Sequence, residues 1–192
     1  MALRRPLSRP WHFHHMNAAE TDRLIAVIQW LVTGRDDLRG MAVCGSWARG
    51  NPRPDSDLDV LIVAQNPDSL RRDQKWIREL NFSDVGFCYL GHKTARYGVV
   101  WSAHIELEPE AKLELTFAKE SWASVHPIAQ GTRDVVTDAF NVLIDKDGAL
   151  QRLRSACSQP PRPCHWCGRP CSPFVRMDFR ARPHNIIRRR TR

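Results

Sequence analysis

A short segment, residues 41–63, holds two apolar runs that flank a Gly-Ser turn. The first run ends at Gly45 and Ser46, and the second opens ten residues later with Asp57 and Asp59. Side chains alternate along a strand, so the two aspartates are predicted to share one strand face, roughly 7 Å apart. Few folds hold two carboxylates at the end of a buried strand, so this pattern constrains the chain more than any other.

The paired aspartates need a compensating charge because like charges repel. Magnesium binds oxygen ligands and is commonly completed by substrate phosphates. The turn at Gly45 supplies backbone amides that can face phosphate oxygens, together with the Ser46 hydroxyl. The segment therefore predicts one cleft in which phosphate and metal meet.

The two aspartates have two other interpretations, a calcium-binding loop and a solvated strand face. A calcium-binding loop needs a glycine at its sixth position and a glutamate at its twelfth, where this chain has Val60 and Asn66. A solvated strand face that carries Asp57 and Asp59 only for solubility remains open.

The chain has 192 residues, enough for one domain with a proper core, and no apolar run of membrane-spanning length. Residues 1–15 are basic but lack the apolar region of a secretory signal, so a cytoplasmic protein with a disordered N-terminal extension is expected. Asn17 and Glu20 form the pattern of a capping box, which leaves Met16 as an alternative start.

The net charge of +8 is divided unevenly along the chain. Residues 16–150 contain 15 basic and 20 acidic residues, whereas residues 151–192 contain eleven arginines and one acid. We expect a catalytic domain over residues 16–157 and a disordered Arg, Pro and Cys-rich tail over residues 158–192. Any binding to nucleic acid or another polyanion would then be weak, tail-mediated and sensitive to salt.

The tail also contains a cysteine cluster with partial metal-binding spacing. Zinc binding by this cluster and an accidental extension both remain open. The candidate zinc ligands are Cys164, Cys167 and Cys171, with Cys157 or His184 as the fourth.

Hydrophobic periodicity predicts the elements around the motif. An amphipathic helix is expected first, then two strands with a helical turn between them, a polar helix, an ambiguous segment and a hairpin. The corresponding residues are 18–33, 38–44, 58–63, 69–80, 84–90, and 99–107 with 112–118.

The order of these motifs resembles the polymerase-beta-type nucleotidyltransferases in their short bacterial form. Gly45-Ser46, Ala48-Arg49-Gly50 and Ser56-Asp57-Leu58-Asp59 follow one another between two predicted strands. The resemblance implies an α+β fold: a small mixed β-sheet in a two-layer arrangement, with helices packed on one face.

The resemblance also implies a third carboxylate from a neighbouring strand, and Glu114 is the expected residue. Together with Asp57 and Asp59 it would hold two Mg²⁺ ions, with Mn²⁺ as an alternative, and it would be a candidate proton acceptor. Two other readings stay open, in which Glu114 is a surface residue or Glu106 takes its place.

The Gly-Ser turn would bind the departing pyrophosphate through Gly45 and Ser46. Arg49 is a candidate phosphate contact because a guanidinium can bond two phosphate oxygens. The alternative for Arg49 is a structural salt bridge beside the acids, and Trp47 either stacks on a base or is simply buried.

The implied reaction transfers a nucleoside monophosphate from a nucleoside triphosphate, with ATP the expected donor, to a hydroxyl on a small molecule, a protein or an RNA. A second function class is a binding module that has lost turnover and acts as the antitoxin-like partner of another protein. The acceptor is undetermined, and a homodimer or partner protein is expected to complete its site.

Overall fold

The computed structural model describes residues 16–159. The N-terminal extension, the tail from residue 160 and four of the five candidate zinc ligands lie outside this range. The helices are α1 (Ala18–Gly34), α2 (Gly45–Ala48), α3 (Pro67–Arg72), α4 (Trp76–Glu79), α5 (Gln130–Asp138) and α6 (Ala149–Ser158). The strands are β1 (Leu38–Cys44), β2 (Leu58–Ala64), β3 (Cys88–Tyr97), β4 (Val100–Glu108), β5 (Ala111–Lys119) and β6 (Phe140–Asp145). Two 3-10 turns cover Phe82–Val85 and Glu120–Ala123.

The first helix begins and ends on specific hydrogen bonds. The Asn17 Oδ1 accepts from the Glu20 amide at 3.0 Å, and the Asn17 amide donates to the Glu20 carboxylate at 2.9 Å, which confirms the capping box. At the other end, the Lys146 Nζ donates to the carbonyls of Val32 and Arg35, both at 2.8 Å. These bonds satisfy backbone groups that a helix leaves without intrahelical partners.

Six strands form one mixed sheet in the order β3-β4-β5-β2-β1-β6. Only β2 and β5 run parallel, whereas the other neighbouring pairs are antiparallel. The predicted hairpin is confirmed as β4 and β5. The α+β class and the mixed sheet are therefore confirmed.

Helices cover both faces of the sheet rather than the single face predicted. Alternate strand residues point to opposite sides, and the buried apolar residues accordingly divide into two clusters. One cluster joins the sheet to α1, α3 and α4, through residues such as Leu24, Ile28 and Ile77. The other joins it to α5, α6 and the second 3-10 turn, through Val136, Leu150 and Trp122. The second face was not predicted because α5 and α6 follow residue 118, where the elements predicted from hydrophobic periodicity end.

The helix predicted over residues 69–80 is wrong as one element, because the chain breaks into α3 and α4 near Asp73. The break lets Trp76 turn into the core, where its Nε1 donates to the Leu70 carbonyl at 2.9 Å. Trp76 also contacts the rings of Trp101 and Phe117 edge-on. The ambiguous segment 84–90 contains the end of a 3-10 turn and the start of β3.

Helix α6 ends at Ser158, and Cys157 on this helix is buried in the second cluster. Cys157 is therefore a core residue, which argues against it as the fourth zinc ligand. Among residues 16–159, no helix has the length and apolar character that crossing a bilayer would need.

Candidate active site

The Gly-Ser turn lies directly against one of the two aspartates. Strand β1 ends at Cys44, and Gly45 starts α2 with a φ of +67°, a conformation that favours glycine. A Cβ atom at position 45 would lie 2.6 Å from the Asp59 Oδ2. Glycine is therefore required here for its backbone conformation and also for the space that it leaves to the carboxylate.

Asp59 lies on a central strand between two neighbours. It pairs with Cys44 on β1 and, in the parallel register of β2 and β5, with Glu114. Burial raises the pKa of Asp59 to about 7, the negative charges of Glu114 and Asp57 add to this effect, and the positive charge of Arg49 opposes it. The fold therefore concentrates negative charge at a partly buried site.

Asp57 lies one residue before β2 rather than on the strand as predicted. Burial is the main cause that raises its pKa, and Glu114 contributes in the same direction, whereas Lys112 opposes it. The negative charge of Glu114 thus acts on Asp57 as well as on Asp59.

Glu114 is held by neighbours that the sequence analysis did not assign to the site. Its Oε2 lies 3.5 Å from the Nδ1 of His104, and its Oε1 accepts from the Thr116 hydroxyl at 3.3 Å. The Thr116 hydroxyl is also 2.7 Å from that of Ser102, and the Tyr97 hydroxyl is 3.3 Å from the His104 Nε2. These contacts orient the carboxylate on the second face of the sheet.

A cavity of about 300 Å³ opens beside these residues. Three acids line it and no lysine or arginine does, and of the three only Asp138 has an arginine partner, Arg49, which lies outside the lining. Its lining is Cys44, Gly45, Asp59, Val60, Leu61, Tyr97, Val100, Ser102, Glu114, Thr116, Trp122, Val135 and Asp138. Its size is at the lower end for ligand cavities in proteins.

The donor set fits a hard divalent cation. Carboxylate oxygens are the ligands that Mg²⁺ and Mn²⁺ prefer. A cation would offset the cost of burying the charge of Asp59 and its repulsion by Glu114 and Asp57. Within residues 16–159, no group of three or more His, Cys, Asp or Glu side chains has the spacing of a ready-made metal site.

A family model for the nucleotidyltransferase domain matches residues 26–121, which is half of the chain. The chain belongs to this family. The match runs from α1 to the end of β5 and so includes Gly45, Asp57, Asp59 and Glu114. The resemblance seen in the sequence is thereby confirmed, although the role of each residue stays a prediction.

Solved structures with a similar fold are nucleotide-transferring enzymes of low sequence identity. An aminoglycoside 6-adenyltransferase from Bacillus subtilis is 14% identical, with a TM-score of 0.43 over 69% of this chain and 42% of that one. A cytoplasmic RNA terminal U-transferase is 16% identical, with a TM-score of 0.38 over 54% and 30%. A CCA-adding enzyme is 12% identical, with a TM-score of 0.33 over 74% and 35%. The chain spans less than half the length of each, and these likenesses carry no argument about its substrate.

A search of curated proteins gave no match.

In this nucleotidyltransferase domain, the geometry favours Glu114 over its rival Glu106. Glu114 lies on β5, the direct neighbour of β2, whereas Glu106 lies on β4, one strand farther away. The Glu106 Oε1 is 3.7 Å from the Nζ of Lys93, and this ion pair is largely exposed. Glu106 therefore has another partner and is farther from Asp59.

Arg49 forms the salt bridge that was the alternative to a phosphate contact. Its Nη1 donates to the Asp138 Oδ2 at 2.5 Å, which ties the end of α2 to the end of α5. Asp138 lines the same cavity as Asp59, and it was missed because nothing near it in sequence belongs to the motif. Both side chains are about half exposed, so the pair is expected to contribute at most about 1 kcal/mol.

Trp47 packs against the main core, and its indole N–H is buried without a hydrogen-bond partner among the described residues. The burial reading of Trp47 fits better than stacking on a base. Cys44 lines the cavity, but burial raises the pKa of its thiol to about 12, so it remains protonated at neutral pH.

Proposed function

We propose that the protein transfers a nucleoside monophosphate from a nucleoside triphosphate to a hydroxyl group and releases pyrophosphate. The observation that carries this proposal is the register of β2 with β5, which sets Asp59 beside Glu114 under the Gly45 turn. A partly buried pair of carboxylates next to a glycine turn suits a metal-bound triphosphate and has little value for stability.

Asp57, Asp59 and Glu114 are proposed to hold Mg²⁺, or Mn²⁺ in its place. When bound, the metal would neutralise these carboxylates and lower the pKa of the acceptor hydroxyl. The Gly45 turn and the Ser46 hydroxyl are proposed to hold the phosphates that leave. ATP is the proposed donor, and cytoplasmic location stays a prediction.

In this reaction the acceptor oxygen forms a bond to the α-phosphorus, and the bond from that phosphorus to the bridging oxygen breaks. Pyrophosphate leaves with the electron pair of that bond. The hydroxyl proton goes to a base, for which Glu114 is proposed: its Oε1 accepts from Thr116, and its Oε2 lies 3.5 Å from the His104 Nδ1, a contact long enough to leave it able to accept a proton. Arg49 would contact a phosphate only after its ion pair with Asp138 breaks. Breaking this half-exposed ion pair costs little free energy.

The test is to incubate the full chain with labelled triphosphates, Mg²⁺ and a panel of hydroxyl acceptors, and to measure pyrophosphate. We expect release that stops when Mg²⁺ is chelated, and a loss of at least about 100-fold in Glu114→Gln. The matched control is Glu106→Gln, which removes a carboxylate from the neighbouring strand and should change the rate less than threefold.

A larger effect in Glu106→Gln would move the third carboxylate to β4. Binding of ATP with Mg²⁺ but no pyrophosphate with any acceptor or cell extract would favour the second function class, the antitoxin-like binding module.

A further inference from the structure

A second cavity, of about 330 Å³, adjoins the acid-lined one but carries the opposite charge. Three cations, Arg71, Arg96 and Lys119, line it, against a single acid, Asp68. Val100 and Trp122 line both cavities and form their common wall. The two cavities therefore meet at this wall: the acid-lined one lies on the second face of the sheet, and the other lies around the end of the sheet where β4 begins and β5 stops.

The three cations keep their charge available to a ligand. Lys119 is exposed at the end of β5, and Arg96 is exposed and donates from its Nε to the Gly98 carbonyl at 3.3 Å. Arg71 is 3.6 Å from the Asp68 carboxylate, but both side chains are more than a third exposed, so this pair is weak. The cavity thus keeps a net positive character that suits an anion.

Apolar groups complete the cavity wall. Val99, which is 72% exposed, and the rings of Trp101 and Trp122 contribute to the lining. Cations combined with aromatic side chains are typical of surfaces that hold phosphates linked to bases or other apolar groups.

The distance between the two cavities constrains the length of any molecule that enters both. Glu114 and Lys119 are five residues apart on β5, or roughly 17 Å at about 3.3 Å per residue. Because residues an odd number apart on a strand point to opposite faces, a molecule that places a hydroxyl at Glu114 and an anion at Lys119 must be extended and must pass around the end of β5.

From this arrangement we propose that the cation-lined cavity binds a phosphate of the acceptor, and that the acceptor is an extended, phosphate-bearing molecule. This inference rests on the proposed transfer reaction and adds the chemical class of its acceptor. A polycationic acceptor is disfavoured, because Arg71, Arg96 and Lys119 would repel it along the approach to the acid-lined cavity.

The test measures binding to the full chain without triphosphate or metal, so that an inactive enzyme still gives a result. The probe is a fluorescent single-stranded RNA of ten uridines, titrated at several salt concentrations. The variant Arg71→Gln/Arg96→Gln/Lys119→Gln should weaken binding at least tenfold and reduce the salt slope by up to about 2, at about 0.7 per phosphate contacted.

The matched control makes the same change of charge outside both cavities. It replaces three exposed cations, Arg72, Lys75 and Arg78, with glutamine and should weaken binding less than threefold. Equal losses in the two triple variants would overturn the proposal, because the affinity would then follow total charge.

Two further arms distinguish the sources of the phosphate. Cross-linking with a thiouridine form of the RNA should label residues near Val100 and Trp122 if the ligand is a nucleic-acid strand. Competition by ribose 5-phosphate that is lost in the cavity variant would instead assign the phosphate to a small molecule, which also supports the subsite.

Cross-links confined to positions outside residues 16–159, with no dependence on the cavity cations, would overturn the proposal. Transfer of nucleotide to an aminoglycoside, a polycationic acceptor, would overturn it as well. Either result leaves the transferase proposal intact, whereas absence of pyrophosphate release would contradict that proposal alone.

Discussion

Replacement of Asp59 by asparagine should stabilise the metal-free protein at alkaline pH. In the unfolded chain the carboxyl titrates near its ordinary value of 3.8, whereas in the fold its pKa is about 7. Between these values the folded protein keeps a proton that the unfolded chain has lost, so the free energy of unfolding falls as pH rises. The stability that the protonated Asp59 carboxyl provides is fully present below about pH 4 and is lost as the pH rises through 7.

The size of the effect follows from the shift. A difference of about 3 pKa units corresponds to about 4 kcal/mol once Asp59 is fully ionised, at about 1.4 kcal/mol per unit. Because Asp59 lines an open cavity, solvent screens part of this repulsion. We therefore expect Asp59→Asn to raise the free energy of unfolding by about 1–3 kcal/mol at pH 8 and by little at pH 4.

The assay is urea unfolding of the full chain at pH 4 and pH 8, without divalent metal. The control is Asp55→Asn, which removes an aspartate whose side chain is 78% exposed in the loop before β2 and should change stability by less than about 0.5 kcal/mol. If Asp59→Asn were less stable than this control at pH 8, the carboxylate would be held by favourable contacts, and the argument from repulsion would be refuted.

Three more outcomes follow from the same geometry. Mg²⁺ at ten times its dissociation constant should stabilise the wild type by about 1.4 kcal/mol at pH 8 but should not stabilise Asp59→Asn, as thermal or urea unfolding would show. Gly45→Ala should reduce nucleotide transfer at least tenfold more than Gly50→Ala, since both have positive φ but only the Cβ at 45 meets a carboxylate; equal losses would mean that backbone strain alone matters. Deletion of residues 160–192 should leave triphosphate binding and melting temperature nearly unchanged, and a loss of cooperative unfolding would show that the tail belongs to the fold.

Local sequence signals determined the elements that carry the motif. The capping box at Asn17 and Glu20 needs only residues three apart, and it fixed the start of α1. The apolar run that ends at Gly45 predicted β1 and the turn after it, because glycine tolerates a positive φ. Alternation also predicted the hairpin of β4 and β5. Such signals are complete within a few residues, so no other part of the chain is needed to read them.

One site contact was available from the sequence but was missed. The apolar residues of β4 and β5 must face the same core, which fixes an in-register pairing of His104 with Glu114. A four-residue turn over residues 108–111, which the predicted strand bounds imply, would shift this pairing by one residue and send polar side chains into the core. Matching the polar faces of the two strands would have revealed His104 as a neighbour of the site.

Tertiary structure alone decided the remaining features. Arg49 meets Asp138 across 89 residues, and α5 and α6 close the second face of the sheet around Leu153. The cation-lined cavity joins Arg71 on α3 to Lys119 at the end of β5, through strands that are neighbours in space but distant along the chain. The charges of such residues are visible in the sequence, but their distances depend on strand order and on helix packing. Local periodicity carries no information about either, and for that reason the carboxylate strand could be predicted whereas the surfaces around it could not.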